Sequence, residues 1–234
     1  RKLTAIGRTM AKLPVDVKLA RMLVAAHAHG VLREMLVIAS FLGIQDPRER
    51  PADARAAADA AHAQFADAKS EFVGILKLWQ AYRTAHEDLT QSQLRKWADK
   101  QFLGFLRLRE WWELHRQLKL QCEALWPADA GSLPFAQRRG GSGRGALPAS
   151  DAGATPSRPP PAAQGEETSG QSFAALHRAL IAGLPTQLGH RGDKGLYDGP
   201  RGRKFQLFPG SKLASKPPPW VLSATLLDTE KVWA

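Results

Sequence analysis

Two clusters of basic residues carry most of the chemistry this sequence could perform. Lys100, Arg107, Arg109 and Arg116 fall in a stretch that also holds Phe102, Phe105, Trp111 and Trp112. Cations pair with phosphates and aromatic faces stack on bases, so such a stretch can grip a single strand. A core-facing helix with a solvated rim produces the same pattern, and both readings stand at this level. The second cluster is GPRGRK at 199–204, with Lys212 and Lys216 downstream. Its glycines permit close backbone approach, while Arg201, Arg203 and Lys204 offer charge for phosphates. The alternative is a solvated hairpin tip.

Other chemistries fail on residue type or spacing. The phosphate-cradling string G-x-x-x-x-G-K-[ST] does not occur, and neither does H-E-x-x-H. His27 and His29 are two apart on an expected helix and point in different directions, so they make no metal pair. Cys122, the one cysteine, sits among apolar neighbours and reads as a small core residue. It also excludes disulfides and points to a reducing compartment, the cytoplasm. Arg191-Gly192-Asp193 spells an adhesion tripeptide of a length that arises by chance, and GGSGRG at 140–145 neither follows a strand nor opens a helix. No apolar run is long enough for a membrane span, and no signal peptide opens the sequence. A chain starting at Arg1 without a Met is expected to be a piece of a longer protein.

The elements that must position these clusters fall into three parts. Residues 127–171 hold seven Pro, eight Gly and five Ser, too little apolar surface to offset chain entropy, and read as a disordered linker. Its four basic and four acidic residues cancel, whereas 1–126 carries 20 basic against 14 acidic and 172–234 carries 9 against 4. The net charge of +11 therefore belongs to the folded parts, and a polyanion is the expected partner.

The first part reads as helices. Leu19, Met22, Leu23 and Ala26 follow the i, i+3, i+4, i+7 rule up to Gly30, and Leu32, Met35, Leu36 and Ala39 repeat it to about Gly43. QDPRERP at 45–51 is a loop, followed by a helix from about Ala52 to Phe65 and another carrying Phe72, Ile75, Leu76 and Trp79. A last long helix is predicted from Thr90, capped with Gln93, through to about Leu125. Beyond the linker, Ser172 could cap a short helix ending at Gly183, and strands are expected over 186–190, 204–208 and 220–227. The fold class is therefore α+β: a helical bundle, a linker, and a small, incomplete OB-like barrel.

Several longer strings resemble the accessory regions of DEAH-box helicases. LTAIGRTMAKLPVDVKLARML at 3–23 is similar to the junction of their winged-helix and helicase-associated domains. IQDPRERP at 44–51, HAQFADAKSEFVGILKLW at 62–79, QFLGFLRLREWWELHRQL at 101–118 and RKFQLFPGSKLASKPPPWVLSATLLDT at 203–229 resemble the bacterial HrpA-type branch. The family usually joins bundle and barrel by a much shorter connection than 127–171. The resemblance implies the end of a winged-helix region at 1–14, a ratchet-like bundle at 15–126, and an OB-type domain at 172–234. It implies a single-stranded RNA or DNA partner, the protein's own motor domains in cis, and no membrane. Arg109, Arg203, Ser211 and Lys212 occupy positions from which RNA contact would follow. ATP and Mg are implied for the motor domains of a 3′-to-5′ RNA helicase, with no cofactor in these 234 residues. The competing expectation is a protein-interaction module that docks a regulatory partner and ignores nucleic acid.

Overall fold

The computed structural model describes residues 2–127, 161–228 and 232–233. The part of the expected linker at 128–160 lies outside the described residues. Eight helices are described: α1 (Ala5–Met10), α2 (Val17–Ala28), α3 (Leu32–Leu42), α4 (Arg55–Ala63), α5 (Glu71–Asp88), α6 (Gln91–Lys100), α7 (Phe105–Leu125) and α8 (Pro161–Gly183). Local chemistry sets several of their ends. The Asp16 carboxylate accepts from the Lys18 and Leu19 amides at 2.7 and 3.0 Å, satisfying two orphan donors of α2. Gly30, at φ 69°, provides the left-handed residue that ends the same helix. Thr90 and Gln93 form the expected capping box on α6.

The predicted long helix from Thr90 to Leu125 is in fact two. The break falls at Gln101–Gly104, where Phe102 adopts φ 53°. Tertiary interactions hold it open: the Glu49 amide donates to the Phe102 carbonyl at 2.9 Å, and the Gly104 amide to that of Pro47 at 2.8 Å. The loop expected at 45–51 thus takes over the backbone groups that would have continued α6. As a consequence Lys100 belongs to α6, while Arg107, Arg109 and Arg116 belong to α7.

The second difference concerns α8. It starts at Pro161, within the stretch that composition marks as linker, so Ser172 lies inside the helix and not at its cap. Proline is favoured in the first turn, where its missing N–H is no loss. Leu176, Ala179 and Leu180 of α8 enter the same buried cluster as Met22, Leu23 and Ala26 of α2, Met35 and Ile38 of α3, Leu78 and Tyr82 of α5, and Leu108, Trp111 and Leu118 of α7. The approach of α8 to α2 is close: a Cβ on Gly183 would fall 2.5 Å from the Lys18 carbonyl oxygen. Only glycine fits there.

The remaining chain forms a four-stranded antiparallel sheet in the order β3-β2-β1-β4, from β1 (Leu188–Arg191), β2 (Tyr197–Asp198), β3 (Lys204–Phe205) and β4 (Trp220–Leu222). A separate hairpin pairs β5 (Leu227–Asp228) with β6 (Val232–Trp233). The expected strands are present but shorter, and β2 is additional to them. The core of this sheet consists of Tyr197, Phe205 and Val221. Gly189 is required beneath it, because a Cβ there would run into the Phe205 ring. The Tyr197 hydroxyl donates to the Pro218 carbonyl at 2.7 Å and ties the strand to the proline run. The architecture is the expected one, a bundle followed by a small β domain. No described helix is long and apolar enough to cross a membrane.

Candidate nucleic-acid interface

On α7 the helical repeat sorts the predicted cations. Arg109 and Arg116 are seven residues apart, two turns, and share a face, whereas Arg107 is displaced from Arg109 by about 200°. Leu108, Trp111, Leu118 and Cys122 form the buried side between them. Arg107 pairs with Glu110 at 2.8 Å and Arg116 with Glu113 at 3.0 Å, both exposed i, i+3 pairs that stabilise by only a few tenths of a kcal/mol. Arg109 is exposed and has no ion-pair partner among the described residues. The same is true of Lys100 at the end of α6, where a cation favours the helix C-terminus.

The aromatic residues divide between core and surface. Trp111 is fully buried, and its indole N–H donates to both the Val37 carbonyl and Ser40 Oγ at 3.1 Å. It is a core residue. Phe105 is covered by the Arg95 guanidinium at 5.1 Å from the ring centre. Trp112 is half-buried and lies parallel to His86 of α5, with ring centres 4.2 Å apart and planes within 16°. Tyr82, also on α5, meets Trp112 edge-on at 5.9 Å and Trp97 in a stack at 6.4 Å. Burial pushes its hydroxyl up to about 12, with Arg109 opposing and Glu113 reinforcing the rise, which places both α7 side chains near that oxygen. His115 packs against Trp79 at 4.5 Å, and burial, aided by Lys119, lowers it to about 4. Burial likewise raises the Cys122 thiol to about 12, so it carries no thiolate reactivity at neutral pH.

The barrel cluster is a hairpin tip between β2 and β3. Pro200–Gly202 makes a single 3-10 turn, with Arg201 at φ 61° and Gly202 at φ 70°. The Gly199 amide closes it on the Arg203 carbonyl at 2.7 Å. Arg201 and Arg203 project into solvent without ion pairs among the described residues, while Lys204 lies 3.5 Å from Asp198 across the strand pair. Ser211 and Lys212 are elsewhere, at the seam between barrel and bundle. Ser211 Oγ donates to Glu71 at 2.6 Å and accepts from the Leu213 amide at 3.2 Å, so its hydroxyl is already committed. Lys212 is exposed and close enough to Asp59 of α4 to lower that carboxyl, after the larger effect of the Arg50 hydrogen bond.

Composition and periodicity missed two features. The seam encloses a cleft of about 570 Å³ between β4 and the α3–α5 side of the bundle, reached by Arg48, Lys69, Phe72, His177 and Trp220 among others. Within it Ser70 lies 2.8 Å from His177, whose other nitrogen faces the Phe173 carbonyl at 2.8 Å. Ser70 therefore leaves α5 uncapped and links it to α8 instead. The other feature is the pairing of α5 with α7 through His86 and Trp112, residues 26 positions apart that no local pattern joins. Among the described residues no group of three or more His, Cys, Asp and Glu side chains is placed to hold a metal ion.

The architecture has close relatives. Residues 16–104 match the family model for the helicase associated domain (HA2), ratchet-like, and residues 176–234 that for the oligonucleotide/oligosaccharide-binding (OB) fold. The whole chain is 34% identical to an ATP-dependent RNA helicase HrpA homolog of Haemophilus influenzae, and 99% of it is 34% identical to ATP-dependent RNA helicase HrpA of Escherichia coli. The chain matches a C-terminal HrpA-type region along its length. This HrpA-type region spans 15% of the length of each of those two relatives. A putative DEAH-box ATP-dependent helicase of Mycosarcoma maydis is 30% identical over 47% of the chain, covering 7% of its own length. The match to the Haemophilus influenzae protein covers 100% of the chain, residues 127–171 included.

Proposed function

We propose that this HrpA-type region binds single-stranded RNA and guides it past the motor domains of a 3′-to-5′ RNA helicase. One observation supports this most directly. Both halves carry exposed cations that no acidic side chain among the described residues neutralises, Lys100 and Arg109 on the bundle and Arg201 and Arg203 on the barrel hairpin. Such cations are available to release counterions from a phosphate backbone. Lys204, Lys212, Arg107 and Arg116 contribute more weakly, since each sits near a carboxylate. Ser211 serves the seam. ATP and Mg belong, in this reading, to the motors and not to this region, which acts passively by holding the strand.

Binding of unrelated single strands over a series of salt concentrations tests the proposal. Replacing Arg201, Arg203 and Lys204 by Ala is expected to lower affinity uniformly and to flatten the slope of log affinity against log salt by about 0.7 for each phosphate no longer neutralised. An unchanged slope removes the hairpin from the RNA path. Failure of the intact chain to bind any strand at low salt favours a module that docks protein partners only.

A further inference from the structure

We propose that the stacked His86–Trp112 pair, flanked by Arg109 and Arg116, is a platform for one unpaired nucleobase of single-stranded RNA. The inference rests on the RNA-binding reading and adds what that reading lacks, a contact to a base in place of a phosphate.

Three observations converge on the pair. The first is its geometry: the two rings are parallel within 16° at 4.2 Å, and His86 is exposed. An exposed ring already stacked on one face extends that stack at little ordering cost, because both rings are held by their helices. The second is its support. Tyr82, fully buried one turn before His86 on α5, presses edge-on against both rings at 5.9 Å, which fixes the pair from below. The third is charge. Arg109 precedes Trp112 by three residues and Arg116 follows it by four, so both guanidinium groups rise from the same face as the indole. Glu113 lies between them, but its charge is matched by Arg116 at 3.0 Å, and Arg109 leaves the patch net positive. An aromatic surface beside an unpaired cation can hold a single strand without sequence preference: the rings take a base and Arg109 takes an adjacent phosphate. The other aromatics of α7 do not offer this. Trp111 is buried with its N–H satisfied, and Phe105 already carries Arg95.

The experiment compares two strands of equal length and charge, one carrying bases throughout and one with abasic sugars at its central positions, against the full 234-residue chain. Wild type is expected to prefer the base-bearing strand by about five-fold or more, the fold-change that about 1 kcal/mol of stacking produces. His86→Ala is expected to abolish that preference while leaving affinity for the abasic strand unchanged, and His86→Tyr to restore it. Trp112→Leu should act like His86→Ala, provided circular dichroism shows an intact bundle. Arg109→Gln should weaken both strands equally. Binding that depends on salt but shows no preference for bases, or a preference that survives His86→Ala, overturns the platform and leaves the RNA reading in place. No binding of either strand overturns both.

Discussion

The bundle and the barrel are stabilised on different scales. In the bundle, side chains from α2, α3, α5, α6, α7 and α8 share one continuous buried cluster. In the barrel, Tyr197, Phe205 and Val221 make up the buried core among the described residues, and strands of two to four residues surround it. Buried apolar area is the main stabilising term in both, so the barrel is the weaker partner and draws support from the seam. Leu222 and Ala224 pack on the bundle's cluster, and Ser211 bonds to Glu71.

The sharpest way to break this contrast is Leu180→Asp. It buries a carboxylate in the bundle through α8, and we expect loss of cooperative thermal unfolding for the whole bundle, a destabilisation above about 4 kcal/mol. If far-UV dichroism kept its helical signal and melting point, α8 would be an appendage and not part of the core. Phe205→Ala should cost about 3–5 kcal/mol but only within the barrel. Hydrogen exchange should then show β1–β3 unprotected while α2, α3 and α7 keep their protection. Coupled loss in both regions would show that bundle and barrel unfold as one unit.

Next in size is a pH effect confined to the bundle. His115 titrates near 4 in the folded chain against 6.5 ordinarily, mainly through burial. The unfolded chain therefore binds the extra proton first, and stability is fully present above about pH 6.5 and falls as pH drops towards 4. The loss is about 3 kcal/mol at 1.36 kcal/mol per pH unit. His115→Phe should remove this part of the slope in denaturant titrations, and an unchanged slope would assign it elsewhere. The smallest effect is expected for Tyr197→Phe, which deletes the hydrogen bond to Pro218. A destabilisation of about 1 kcal/mol should follow, all of it in the barrel, as read by exchange at the strand amides.

Legibility in the sequence followed the same division. The stripes of α2, α3 and α5 have the 3.6-residue period, Gly30 supplies a left-handed stop and Thr90 with Gln93 a capping box, so these elements can be read locally. The break between α6 and α7 was missed: Phe102, Leu103 and Phe105 continue the apolar spacing, and Gly104 between them was the one local stop signal. It is imposed from outside, by hydrogen bonds from the 45–51 loop. Strand β2 has two residues, too few for alternation to register. At the candidate site, cations could be named but not sorted. Arg107, Arg109 and Arg116 look alike in sequence, and their differences come from Glu110, Glu113 and the direction in which α7 turns.

The position of α8 also matters while the chain is being made. The face of α2 that α8 covers is synthesised roughly 150 residues before Leu176 to Leu184. At about 5–20 residues per second, that leaves Leu19, Met22 and Leu23 without their partner for roughly 8 to 30 seconds. During that interval the nascent bundle presents a greasy groove shaped for a helix that does not yet exist. The groove closes only when α8 joins it, so the bundle core is completed after the whole helical part has been made.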